Sequence, residues 1–175
     1  GDQDVIANGA GNYSGWVHRY YLFRGYRTQL APTSGSMGYG VPAAVSAKLA
    51  APESTVVCVA GDGCFMMTAQ ELATAVQHDL AIIYLVVNNS MFGTIRMHQE
   101  RNYPGRLSAT ALKNPDFAAM ARSFGAHGEL VESTADFPAA FTRAKAAGKA
   151  ALIELRVDQD ALSPRLRLSD LTNRK

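Results

Sequence analysis

Apolar residues in this chain follow two spacings. Thr55-Val56-Val57-Cys58-Val59-Ala60 and Ala81-Ile82-Ile83-Tyr84-Leu85-Val86-Val87 are short β-branched-rich runs without polar alternation. That is the pattern of parallel strands buried on both faces. Thr68 to Gln77, between them, reads as a helix, so the unit is strand, turn, helix, strand. A right-handed crossover of this kind brings both strand ends to one edge of a sheet. Val5 to Ala7 reads as a further short strand, ending in the turn-rich Asn8-Gly9-Ala10-Gly11-Asn12, and a helix is expected from Ser14, as its N-cap, to about Phe23. Pro42 suits the start of a helix that runs to Ala50 and is ended by Pro52. Beyond Asn89, a loop through Gly93 leads to a short helix over Thr94 to Gln99, and Pro104-Gly105 marks a turn in a mobile loop. Asn114-Pro115 has the form of a helix cap followed by proline, with Phe117, Met120, Ala121 and Phe124 on one buried face. Glu129 to Val131, a helix from Phe137 to Ala147, and Leu152 to Leu155 complete the alternation. The expected fold is α/β, a parallel sheet flanked by helices on both faces, as a single domain over residues 1–163 with 164–175 a solvated tail.

The polar residues at the strand ends carry the chemistry. Gly61-Asp62-Gly63 follows the first apolar run and Asn88-Asn89 the second, so a carboxylate and an amide oxygen face one crevice. Hard oxygen donors in that arrangement suit Mg²⁺, which takes few protein ligands and completes its shell with phosphate and water. A lone Asp after a strand is often only a turn former or helix cap; the matching Asn88-Asn89 favours a metal–diphosphate role. Gly63 lets backbone approach a phosphate, and successive N–H groups opening a helix make an anion site. Asn88 reads as structural, bonding neighbouring backbone. A rival pattern is present: Gly38-x-Gly40-x-x-Ala43 fits a dinucleotide fingerprint, with Asp62 as the ribose-binding acid of an NAD-binding domain. It places Pro42 within the phosphate turn and leaves Gly63 and Asn88-Asn89 unexplained. A non-catalytic module that binds diphosphate or assists assembly is the third reading.

Asp-flanked glycines followed by paired asparagines resemble the cofactor anchor of thiamine-diphosphate-dependent enzymes. Gly35-Ser36-Met37-Gly38-Tyr39-Gly40-Val41-Pro42-Ala43-Ala44 is similar to the pyrimidine-contacting segment of the acetolactate synthase, pyruvate oxidase and benzoylformate decarboxylase group. The similarity runs from about Asn8 to Ile153. It implies that Asp62, the Asn89 side chain and the Met91 carbonyl ligate Mg²⁺, and that Gly61, Gly63, Cys64, Gly93 and Thr94 surround the diphosphate of thiamine diphosphate. Asn12 and Tyr13 align with polar residues that reach the phosphates in relatives, against the alternative of a turn residue and a packed aromatic. Gly35 and Met37 would be catalytic: the Gly35 carbonyl accepts from the 4′-amino group, the Met37 amide donates to a ring nitrogen, and the Met37 side chain bends the cofactor. Ser36 lies between them.

The resemblance further implies an enzyme that forms a carbanion–enamine from a 2-keto acid or related small substrate, by carboligation or decarboxylation, as a homodimer or homotetramer. The family's catalytic glutamate belongs to the N-terminal pyrimidine-binding domain of a partner subunit, so this chain, which opens at Gly1-Asp2-Gln3-Asp4 without a start methionine, is expected to be a C-terminal piece that is inactive alone. His98 stands where acetolactate synthases carry a tryptophan that helps select the second substrate, which weighs against that specific activity; an exposed helix histidine is the alternative. Arg96 and Arg101 read as solvated rather than substrate-binding.

Composition narrows the partners. A chain of 175 residues suffices for one full core, and a net charge of +2 without a basic run beyond the short tail implies no nucleic acid. No apolar run approaches membrane-spanning length, and no charged-then-apolar leader opens the chain, so no membrane partner and a cytoplasmic setting are expected. Cys58 and Cys64 lack C-x-x-C spacing; Cys58 reads as a small buried apolar group and Cys64 as an amide donor only. His18, His78 and His127 show no ligand spacing.

Overall fold

A computed structural model of the chain describes residues 1–172. Six parallel strands form one sheet in the order β2-β1-β3-β4-β6-β5: β1 (Val5–Asn8), β2 (Gln29–Leu30), β3 (Val56–Gly61), β4 (Ile82–Asn88), β5 (His127–Val131) and β6 (Ala151–Arg156). The two apolar runs are the central pair, with Val56 opposite Ile82 and Gly61 opposite Val87. β3 is buried along its whole length because helices cover both faces of the sheet. One face carries α2 (Gly40–Ala50), α4 (Glu71–Gln77) and α6 (Phe117–Ser123); Phe65, Tyr84 and Phe117 interlock there edge to face. The other face carries α1 (Ser14–Tyr20) and α7 (Phe137–Ala146), packed on Ile6, Val57, Ile83 and Ile153.

From β1 the chain steps outward to β2, then returns across β1 to β3. That reversal puts a crevice at the carboxyl ends of β1 and β3, where open parallel sheets take ligands.

Local chemistry changes several expected boundaries. Ser14 is the first residue of α1, not its cap; its hydroxyl donates to the Gly11 carbonyl, and the helix stops at Tyr20. A short helix, α3 (Asp62–Met66), follows β3 directly, and Thr68 to Gln70 form turns before α4, because the Thr68 hydroxyl is spent on the Gly38 carbonyl at 2.9 Å. α5 runs over Gly93–Asn102, a turn longer than expected. Asp116, not Asn114, caps α6, accepting from the Ala119 amide at 2.8 Å.

The expected solvated tail is corrected as far as residue 172. Ala161–Ser163 (β7) and Leu166–Arg167 (β8) pair as an antiparallel hairpin, and α8 (Ser169–Thr172) follows. Leu162 and Leu171 are buried against Met91, with Met97, Leu166 and Leu168 around them. Apolar side chains spaced among Arg165, Arg167 and Asp170 find a surface on the α5 side of the crevice, while the polar ones stay wet. The last residues, 173–175, lie outside the described residues.

Candidate functional site

Three adjacent strand ends build one cavity, lined by Asn12, Tyr13, Gly35, Met37, Gly61, Asp62, Gly63, Cys64, Asn89, Met91, Gly93 and Thr94, with Trp16, Phe92, Ile95 and Leu162 completing the wall. Every candidate from the sequence is therefore in one place except Ser36, which is exposed and shares a hydrogen bond with Ser34.

Asp62 opens α3 at the end of β3 and is 3% exposed. Its Oδ1 accepts from the Gly63 amide and its Oδ2 from Asn114 Nδ2, both at 2.8 Å. No Lys, Arg or His among the described residues pairs with it. Burial raises its pKa, outweighing the donors that lower it. A buried carboxylate without a counter-charge is costly, and a divalent cation removes that cost.

The β4 end is shaped by its two asparagines. Asn88 Oδ1 accepts from the Ser90 amide at 3.0 Å and Asn89 Oδ1 from the Met91 amide at 3.2 Å, two successive side-chain turns that hold Ser90 in the left-handed region at φ 55°. The loop is pinned from outside by 2.8 Å bonds from the Phe92 amide to the Thr110 carbonyl and from the Leu112 amide to the Ser90 carbonyl. It delivers Met91 and the N-terminus of α5 to the cavity, where Gly93, Thr94 and Ile95 line the wall. The helix dipole of that end favours an anion, with the Gly93 amide itself given to the Met91 carbonyl at 2.9 Å. The Asn12 amide donates to Thr94 Oγ1 at 3.0 Å, tying the β1 end to the same helix.

Tyr13 fills a slot that side chains would close. A methyl group at Gly61 would stand 2.8 Å from its ring, and one at Gly9 would stand 2.2 Å from its hydroxyl. Its hydroxyl is buried without a hydrogen-bond partner among the described residues, and burial pushes its pKa up. Burial also pushes the Cys64 thiol up in pKa; Cys58 is fully buried inside β3. Gly38 takes φ 80°, which turns the Gly35-to-Gly38 loop so that Met37 faces the cavity.

Residues outside the cavity sort themselves. His98 is exposed on α5, and Arg96 pairs with the buried Glu100 at 2.9 Å rather than with open solvent. His127 joins Arg143 on Glu129. No cluster of three His, Cys, Asp or Glu side chains forms a metal cage among the described residues. The donor set that remains, one carboxylate with amide and carbonyl oxygens, is what Mg²⁺ accepts beside phosphate. Two polar partners of the site escaped the sequence reading. Asn114 was read as a helix cap, and Glu154 went unremarked, although a single carboxylate within the apolar Leu152-Ile153-Glu154-Leu155 is itself a signal.

Residues 9–155 match the family described as "Thiamine pyrophosphate enzyme, C-terminal TPP binding domain". The chain belongs to that family. This thiamine diphosphate-binding domain is 39% identical over 125 residues to the acetolactate synthase large subunit of Haemophilus influenzae, covering 70% of the chain and 22% of that protein. It is 36% identical over 129 residues to the isozyme 2 large subunit of Escherichia coli, covering 73% and 24%. It is 33% identical over 156 residues to the mitochondrial catalytic subunit of Saccharomyces cerevisiae acetolactate synthase, covering 89% and 23%. The domain thus spans less than a quarter of the relatives it matches. Family membership sets aside the NAD-binding reading. Among the described residues, no helix is long and apolar enough to cross a membrane.

Proposed function

We propose that this domain holds Mg²⁺ and the diphosphate of thiamine diphosphate in an acetolactate synthase-like enzyme that joins or decarboxylates 2-keto acids. The observation that carries the reading is Asp62: a buried carboxylate with no cationic partner among the described residues, at the strand end beside Asn89 and Met91. In this reading Asp62, the Asn89 side-chain oxygen and the Met91 carbonyl ligate the metal. The α5 N-terminus at Gly93 and Thr94, with Asn12, Cys64 and the backbone of Gly61 and Gly63, receives the phosphates. The Gly63 amide already bonds Asp62 and the Gly93 amide the Met91 carbonyl, so the α5 dipole and the amides after Gly93 would carry the attraction for the anion.

When bound, the cofactor supplies a thiazolium carbon acid and an electron sink for the carbon next to the substrate carbonyl. The chain's own part is placement. In this reading the Gly35 carbonyl and Met37 amide would hold the pyrimidine and the Met37 side chain would support the rings, while Phe92 and Leu162 would wall the cavity from solvent. About 220 Å³ of space lies within this wall, less than the ~300–1,000 Å³ of complete small-molecule sites, which fits a half-site finished by the N-terminal domain of a partner subunit. A cytoplasmic homodimer or homotetramer belongs to the same proposal. The test is consumption of pyruvate and related 2-keto acids by the intact protein, with thiamine diphosphate and Mg²⁺ and with each omitted. Cofactor- and metal-dependent consumption supports the reading; cofactor binding without turnover of any 2-keto acid favours a binding or assembly module.

A further inference from the structure

We propose that Asn114 and Glu154 are positioning residues, joined through Asn88 in a one-way hydrogen-bond relay that fixes the orientation of the Asp62 carboxylate. The inference rests on the reading above that Asp62 holds Mg²⁺. Glu154 lies in β6 and is 1% exposed. Three donors surround it: the Phe117 amide at 3.2 Å on Oε2, and Arg156 Nε at 3.1 Å and Asn88 Nδ2 at 2.7 Å on Oε1. A backbone amide and a guanidinium can only donate, so Glu154 is held as a pure acceptor. Asn88 must therefore turn its NH₂ toward Glu154 and its oxygen away.

That oxygen takes Asn114 Nδ2 at 2.9 Å, and the same nitrogen reaches Asp62 Oδ2 at 2.8 Å. Both amide hydrogens of Asn114 are committed, one to each acceptor. The direction of every bond follows from the carboxylate at the far end, so none can invert without leaving two donors or two acceptors face to face. The result is an Asp62 carboxylate gripped on one oxygen by Asn114 and on the other by the Gly63 amide, with its remaining lone pairs left for a cation. Neither Asn114 nor Glu154 lines the cavity, so each acts through its neighbours.

A fixed carboxylate matters more to one metal than another. Mg²⁺ demands near-octahedral placement of its ligands, whereas Ca²⁺ tolerates displaced oxygens. Calorimetric titration of Mg²⁺ and Ca²⁺ into the intact protein with thiamine diphosphate present, for the wild type, Asn114→Leu and Glu154→Gln, reads this difference. Leucine keeps the branched shape of Asn114 without its donors. Mg²⁺ affinity is expected to fall about tenfold in both variants, with Ca²⁺ affinity falling clearly less, so the selectivity for Mg²⁺ narrows. Equal loss of both metals, or affinities unchanged in Asn114→Leu, overturns the relay. Asn114 is only half-buried, so its variant decides the question even where Glu154→Gln fails to fold. A wild type without Mg²⁺-dependent binding removes the metal reading itself, a result distinct from either.

Discussion

Replacing Asp62 by Ala separates the cost of a buried charge from its use. In the ligand-free protein the carboxylate accepts two bonds of 2.8 Å, and hydrogen bonds to a charged group contribute roughly 1.5–3 kcal/mol each. Against them stands the several kcal/mol needed to bury an ion. Burial raises the Asp62 pKa, so the donors do not fully offset the cost of the charge, and the substitution should not lower ligand-free stability by the full strength of those bonds. Each 1 kcal/mol corresponds to roughly 2–4 °C in Tm for a domain of this size. The ligand-bound protein behaves differently. Thiamine diphosphate and Mg²⁺ at about 100 times Kd would stabilise the wild type by about 2.7 kcal/mol, or roughly 5–10 °C. The assay is thermal melting of the intact protein with the cofactor, with Mg²⁺ or with chelator. The wild type should show the metal-dependent rise and Asp62→Ala should show none, each against its own ligand-free baseline. A variant that keeps the full rise refutes the assignment of Asp62.

Three further outcomes follow from the same geometry. Met37→Ala in the intact enzyme should lower kcat more than it weakens cofactor binding; equal loss in both, measured by steady-state kinetics and calorimetry, contradicts the ring-bending role. A methyl group at Gly128 would stand 2.2 Å from the Ala118 carbonyl oxygen, backbone against backbone between β5 and α6, so Gly128→Ala should cost about 2 kcal/mol or more in urea unfolding. Glu129 is held below the usual carboxylate range by Arg143 first and His127 after it. Its contribution is complete above the unfolded value near about 4.3 and is lost as pH falls through the lower folded value, so the stability gap between wild type and Glu129→Gln should close on acidification. A gap that persists at about pH 2 would rule out that origin.

The sheet was legible because its central strands need no partner to declare themselves. Val56 to Ala60 and Ile82 to Val87 are apolar throughout, short and rich in β-branched residues, the composition of a doubly covered strand. β2 was not legible: Gln29 and Leu30 carry no pattern and are strand only because Ile6 and Ala7 present a parallel edge to them. α3 was hidden by the glycines that flank Asp62, which read as a turn. At the site, residues at strand ends could be grouped from the chain because crossover topology dictates where those ends go. Asn114 could not, since its partners lie 52 and 26 residues earlier in the chain and the local Asn-Pro looked like a cap. The C-terminal hairpin was missed for a related reason. Its charges dominate a short window, while Leu162 and Leu171 are buried by Met91 from a distant loop.

Calorimetric titration of thiamine diphosphate into the protein, with Mg²⁺ and then with chelator, and NAD as control, tests the central claim most directly. Binding that requires Mg²⁺ and is absent for NAD is the predicted result. Binding of NAD, or thiamine diphosphate binding indifferent to the metal, would contradict the account of Asp62, Asn89 and Met91.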